Sequence, residues 1–187
     1  MNSSATALPD LPTALETAPA AVQVLPLRWR PGMPFGSVAA TEAQRVLAAI
    51  AALEDRPPAT IEESGLEAEV ARLHQKMQLL MEMVGGLLRA QQAVPPSLPV
   101  RMVAGGLRWS DREAPLGECG LVELWLHPAC PEPLCLPVRL LRVEPEPGGV
   151  RVDAAFEDLP ESLALALEKH VFLHHRRELA EARQLRR

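Results

Sequence analysis

The sequence predicts an α+β fold: a small antiparallel barrel or sandwich followed by a closing C-terminal helix, with two long helices inserted after the first strand, the second forming a heptad coiled coil. Three observations carry that expectation. From Pro99 to Phe156 short apolar runs alternate with turn signals, the pattern of small antiparallel barrels and sandwiches. From Leu66 to Leu87 apolar residues recur in steps of four and three, the 3.5-residue period of a coiled coil. After "FEDLP" a long amphipathic stretch opens with Asp158 and Glu161 at the spacing of a helix-capping pair.

Residues 1–19, rich in Ala, Pro, Ser and Thr without a helical period, read as a disordered tail. "AVQVLPLRWR" follows as a strand by its β-branched and aromatic content, with Pro26 confining it to an edge. The β-module with its closing helix is thus assigned residues 20–30 and 95–187, and residues 38–94 are read as an inserted helical element through which the chain is expected to oligomerise. Within it, Thr41 and Gln44 form a capping box ahead of Val46, Leu47, Ile50 and Leu53, and Pro57 and Pro58 stop that helix. Thr60 and Glu63 open the next one.

That second helix carries the strongest periodicity in the chain: Leu66, Val70, Leu73, Met77, Leu80, Val84 and Leu87 alternate without a miss, leucine at every d position. An amphipathic helix packed on its own domain is the plain alternative; the unbroken 3.5 spacing favours self-association. The flanking e and g positions begin as Glu67, Glu69, His74 and Lys76 but become Met81, Met83 and Leu88. A two-stranded seam leaves such flanks exposed, so a homotetramer is preferred over a dimer, the first helix adding some cover. Gly85 and Gly86 cost the helix about 1 kcal/mol each relative to Ala, enough to end or bend it there.

The remaining strands lie in "PVRMVAGGLRW", "GLVELWLH", "LCLPVRLLRVE" and "GVRVDAAFED", whose Val150, Val152, Ala154 and Phe156 recur at every second position. Gly105 and Gly106 mark a turn, where glycine reaches backbone conformations other residues resist. "PEPGG" marks a hairpin with a loop longer than two residues.

A net charge of −5 argues against nucleic acid, which needs a concentrated basic surface. The basic C-terminal run "HHRRELAEARQLRR" is broken by Glu178 and Glu181 and reads as a solvated helix end. No apolar run approaches the roughly 20 residues of a membrane span. No export signal is visible before Arg28, so a cytoplasmic location and free thiols at Cys119, Cys130 and Cys135 are expected.

"VAGGLRW", the "ELWLHP" strand, and "VRLLRVEPEPGGVRVDAAFEDLPESLALALEKHVFLHHRREL" resemble the PilZ family of small bacterial β-barrels over residues 99 to about 180, with "AVQVLPLRWR" as first strand. The resemblance rests on the order of elements, the Gly-Gly-Leu-Arg-aromatic stretch and the Phe-x-Asp-Leu entry to the last helix; the helices between residues 41 and 92 are an insertion the family does not usually carry. Many PilZ domains bind cyclic di-GMP through an RxxxR segment and an Asp/Asn-x-Ser-x-x-Gly turn, because forked arginines match phosphates and stack on bases while acid and hydroxyl fix polar edges. Aligning the final glycine on Gly106 puts Val103 at the serine position and Arg101 at the acidic one, so only the glycine is kept. Arg28 and Arg30 stand before the module at the wrong spacing; Arg108 with Arg112 and Arg183 with Arg187 have the spacing in the wrong places.

No cofactor is expected. His127, Cys130 and Cys135 share a loop but lack a fourth zinc ligand, and ordinary thiols are the simpler reading. His170 and His174 are one helical turn apart with no acid of clear geometry nearby, which makes them surface residues. No catalytic triad, carboxylate pair or P-loop can be assembled, and Gly105-Gly106 lacks the context of a dinucleotide fingerprint. These observations describe a non-enzymatic regulator or adaptor that oligomerises through its coil and does not bind cyclic di-GMP, with a protein partner. The resemblance implies motility, type IV pilus function, surface polysaccharide or virulence control. The alternative is a cyclic di-GMP effector using substituted residues such as Arg28, Arg30 or Arg101.

Overall fold

The computed structural model describes residues 11–54 and 65–184, apart from the side chains of Pro12 and residues 65–67. Residues 1–10 of the expected tail, Pro57 and Pro58, the Thr60/Glu63 box, the Leu66 side chain and Arg187 therefore lie outside the described residues. Six strands close an antiparallel barrel: β1 (Ala21–Pro31), β2 (Ser97–Val103), β3 (Gly106–Asp111), β4 (Cys119–Leu124), β5 (Leu134–Glu146) and β6 (Gly149–Phe156), in the order β1-β2-β3-β6-β5-β4. Closure removes the edge on which the sequence places Pro26. Instead β1 pairs with β2 over residues 21–26 and with β4 over residues 27–31, and Pro26 sits where the partner changes, so its missing N–H breaks no continuous ladder.

Two turns correct the sequence reading. The β5–β6 connection is a two-residue Pro147-Gly148 turn, with Gly148 at φ +93°, in place of a longer loop. Proline followed by a left-handed glycine is the type II combination. Gly105 and Gly106, by contrast, adopt no left-handed φ. Close approach requires glycine here: a Cβ on Gly106 would lie 2.3 Å from the Ala154 carbonyl oxygen and 2.8 Å from a Leu11 methyl.

Inward-facing Leu25, Leu27, Val100, Met102, Trp109, Leu124, Leu136 and Val152 fill the barrel. Two helices complete this core: α2 (Ser37–Glu54) adds Val46, Leu47, Ile50 and Leu53, and α4 (Glu161–Gln184) adds Leu163, Leu167 and Val171. The boundary at residue 38 therefore does not divide the fold, because α2 is core and its apolar side is not free to cover a coil. That helix also begins ahead of the Thr41 box; the Thr41 hydroxyl donates to the Ser37 carbonyl and Gln44 reaches Ser162 on α4.

Part of the supposed tail is ordered as α1 (Leu11–Thr17), which lies across β2, β3 and β6. Its Leu15 is fully buried in a small cluster with Leu11, Ala20 and Val103, and this apolar contact supplies what a short helix lacks alone. The helix α3 (Gly65–Ala90) runs unbroken through Gly85 and Gly86. A Cβ on Gly85 would lie 2.0 Å from the Ala129 carbonyl oxygen, so glycine lets α3 dock on the loop after β4.

Because Ile50 is fully buried in the shared core, Ile50→Ala should cost about 2–5 kcal/mol in urea unfolding followed by circular dichroism. A loss below about 1 kcal/mol would mean that α2 is not part of the barrel core.

Candidate functional site

The barrel face formed by β2, β3 and β6 gathers Arg101, Val103 and Gly106. On it, Arg101 and Arg108 are cross-strand partners, and two like charges side by side need acceptors. Arg108 takes Asp153, its neighbour on β6, in a two-pronged pair at 2.6 and 2.9 Å. Asp153 is 1% exposed, and its hydrogen bonds raise the Arg108 pKa further above its ordinary value. Arg101 instead reaches α1: its Nε donates to the Leu15 carbonyl at 2.6 Å, and one terminal nitrogen donates to the carbonyls of Glu16 and Ala18 at 3.3 and 3.2 Å. A cation is thereby set against the C-terminal end of α1, where the helix dipole favours it. Val103 is buried under the same helix, and Leu11 lies against Gly105 and Gly106. The three positions meet, and α1 covers them.

The second feature is α3. It touches its own domain through small or polar groups: Gln78 Nε2 donates to the Leu53 carbonyl at 2.7 Å, Gly85 is buried on Ala129, and Arg89 donates to the His127 carbonyl at 3.2 Å. The apolar stripe faces elsewhere. Leu73, Leu80 and Leu87 are 60%, 61% and 65% exposed, and Val70, Met77, Met81, Met83, Val84 and Leu88 are exposed with them. A continuous uncovered apolar face of this kind marks a contact surface.

The family model of the atypical PilZ domain, described as a cyclic di-GMP receptor, matches residues 45–184. The chain belongs to the atypical PilZ domain family. A solved PilZ structure is similar to it with a TM-score of 0.69 and 26% identity, covering 92% of this chain and 99% of that one. It is a pathogenic protein from Xanthomonas campestris, described as a tetrameric PilZ domain self-assembled via an unusual helical bundle. Among curated proteins none matches.

Elsewhere on this PilZ domain the expected candidates separate. Arg28 and Arg30 both pair with Glu123, at 3.3 and 3.0 Å, and Arg28 lies over the Trp125 ring. Cys130 and Cys135 each point to a backbone carbonyl, and burial pushes both thiols up. The His127 ring is turned to its own loop, its Nδ1 accepting from the Ala129 amide, and burial pushes its pKa down.

His170 and His174 depart from the sequence reading. His170 is buried and His174 partly so, with ring centroids 4.3 Å apart, and α2 supplies the missing acid: Glu54 Oε1 lies 3.0 Å from His174 Nε2. Burial pushes His170 down to about 4. Glu54 is opposed by its own burial, yet His174 and Arg177 outweigh that and hold its carboxyl at about 2.

Asp153, which the sequence reading missed, offers a direct test of the arginine face. Asp153→Ala leaves the largely buried Arg108 with only the exposed Glu16, 4.0 Å away, and should cost about 3 kcal/mol in chemical denaturation. A change within about 0.5 kcal/mol would show the pair to be a surface contact of no consequence.

Proposed function

We propose that this PilZ protein is a non-enzymatic regulator or adaptor that assembles through α3 into a homotetramer and does not read cyclic di-GMP at its barrel face. One observation carries the reading: α3 turns small and polar groups to α2 and the loop after β4 and leaves the heptad stripe exposed. A face so apolar is stable in water only when covered, and identical copies offer the matching seam. Exposed Met81, Met83 and Leu88 widen the stripe beyond what two helices bury, which favours four. The tetrameric helical bundle of the similar Xanthomonas structure supports the same count. Non-binding is supported by Arg101 and Val103, the first committed to α1 carbonyls and the second buried beneath that helix. On this reading the assembly works in the cytoplasm on a protein partner in motility, type IV pilus function or virulence control. Several weak barrel contacts then act together through multivalency.

A second reading, a cyclic di-GMP effector with substituted residues, is favoured by the family's description as a receptor. Calorimetric titration with the dinucleotide separates the two. We expect no saturable heat, and micromolar binding would replace the first reading with the second.

Replacing Leu73 and Leu80 together by Glu should lower the mass in light scattering from four chains to one with the circular dichroism spectrum of the barrel retained. An unchanged mass would remove α3 as the assembly seam.

A further inference from the structure

We propose that Glu54, His170 and His174 form a binding site for a divalent transition-metal ion, best matched by zinc, where the C-terminal end of α2 meets α4. Each residue offers one ligand atom, and the three atoms lie within 4.8 Å of one another. Donors around a tetrahedral zinc are about 3.4 Å apart at the usual bond lengths, so small side-chain rotations close the set. The two histidines come from successive turns of one helix face, a rigid base for a pair of ligands.

The unmet bonding capacity of His170 supports the assignment independently. The residue is 8% exposed, and its Nε2 is buried without a hydrogen-bond partner among the described residues. An orphaned ring nitrogen in a buried position is costly, and a metal ion satisfies it. Around it the other groups have fitting roles. Arg177 holds Glu54 Oε2 at 2.7 Å, which leaves Oε1 to act as a one-oxygen ligand. The Gln23 amide lies against His174 Nδ1, its Nε2 at 2.7 Å. With its amide carbonyl turned to that nitrogen, Gln23 accepts Nδ1–H and frees Nε2 for the metal, the usual outer support of a ligating histidine.

Two imidazoles and a carboxylate suit zinc over calcium or magnesium, which take oxygen ligands. A cavity of about 210 Å³ between α2 and α4 has Glu54 and His170 in its wall and is otherwise bounded largely by small or apolar side chains such as Ala48, Ala51 and Ala166. It leaves space for a fourth ligand, a water or a small anion. Arg177 on the carboxylate and Lys169 in the cavity wall make the affinity weaker than that of a closed structural zinc centre. The site does not depend on the assembly proposed above.

The test uses the untagged full-length chain, stripped with EDTA and titrated with zinc sulfate by calorimetry, with elemental analysis after desalting. One zinc per chain is expected. Glu54→Gln and His174→Ala should each weaken binding at least tenfold, and Gln23→Ala about tenfold or more. Glu54→Gln is nearly isosteric, so it decides the matter even where a His170 variant loses its fold. The double variant Cys130→Ser/Cys135→Ser should keep full stoichiometry, and so should the Leu73/Leu80 variant if it becomes monomeric. Absence of saturable binding, or binding unchanged in Glu54→Gln and His174→Ala, overturns the proposal, as does loss of zinc in the cysteine variant.

Discussion

The apolar face of α2 is held between the mouth of the barrel and α4, and the geometry of both candidate regions follows from that contact. Val46, Leu47, Ile50 and Leu53 enter the core cluster that Leu163, Leu167 and Val171 of α4 also complete. Burying side chains of this size is worth about 1.5–3 kcal/mol each, which fixes the helix in place. Once it is fixed, its last turn presents two groups in set positions. The Leu53 carbonyl receives Gln78 of α3, and the Glu54 carboxylate meets His174 and Arg177 of α4. One packed helix therefore orients the uncovered apolar seam and assembles the histidine cluster.

The arginine face shows the same economy of elements in electrostatic form. Arg101 and Arg108 oppose each other across β2 and β3, an arrangement that repels unless each cation has its own acceptor. Asp153 serves one, and carbonyls at the end of α1 serve the other. A seven-residue helix is far below the length that holds alone in water, yet α1 persists because Leu15 is buried and Arg101 satisfies its carbonyls. Groups from the chain itself occupy the forked donors of both arginines.

What was legible in the sequence was local and periodic. The heptad stripe, the alternation along β6 and the amphipathic α4 each repeat within a few residues and need no knowledge of the fold. The missed features depend on contacts distant in sequence. Glu54 joins His174 across 120 residues, and nothing near either position announces the other. Asp153 stands opposite an alternating apolar set and reads as solvent-facing, although it is buried in its pair with Arg108. Leu11 and Leu15 make too short a pattern to predict a helix. Gly85 was misleading for a related reason: its propensity weakens a helix, whereas its lack of a Cβ is what allows the tertiary contact with Ala129.

The attachment of α3 also has a geometric consequence for assembly. Among the described residues its hydrogen bonds to the rest of the domain come from Gln78 and Arg89, in the C-terminal half of a helix spanning about 39 Å. The N-terminal half carries Val70, Leu73 and Met77 ahead of those contacts, with all three exposed. A bundle formed on this seam would therefore hold each domain near the C-terminal end of α3. The width of the stripe varies in the same direction: polar Glu69 and Lys76 flank the seam early, and Met83 and Leu88 flank it where the barrels attach. More apolar surface needs cover beside the barrels than away from them, so packing in a four-helix bundle would be tightest where it also sets the spacing of the barrels.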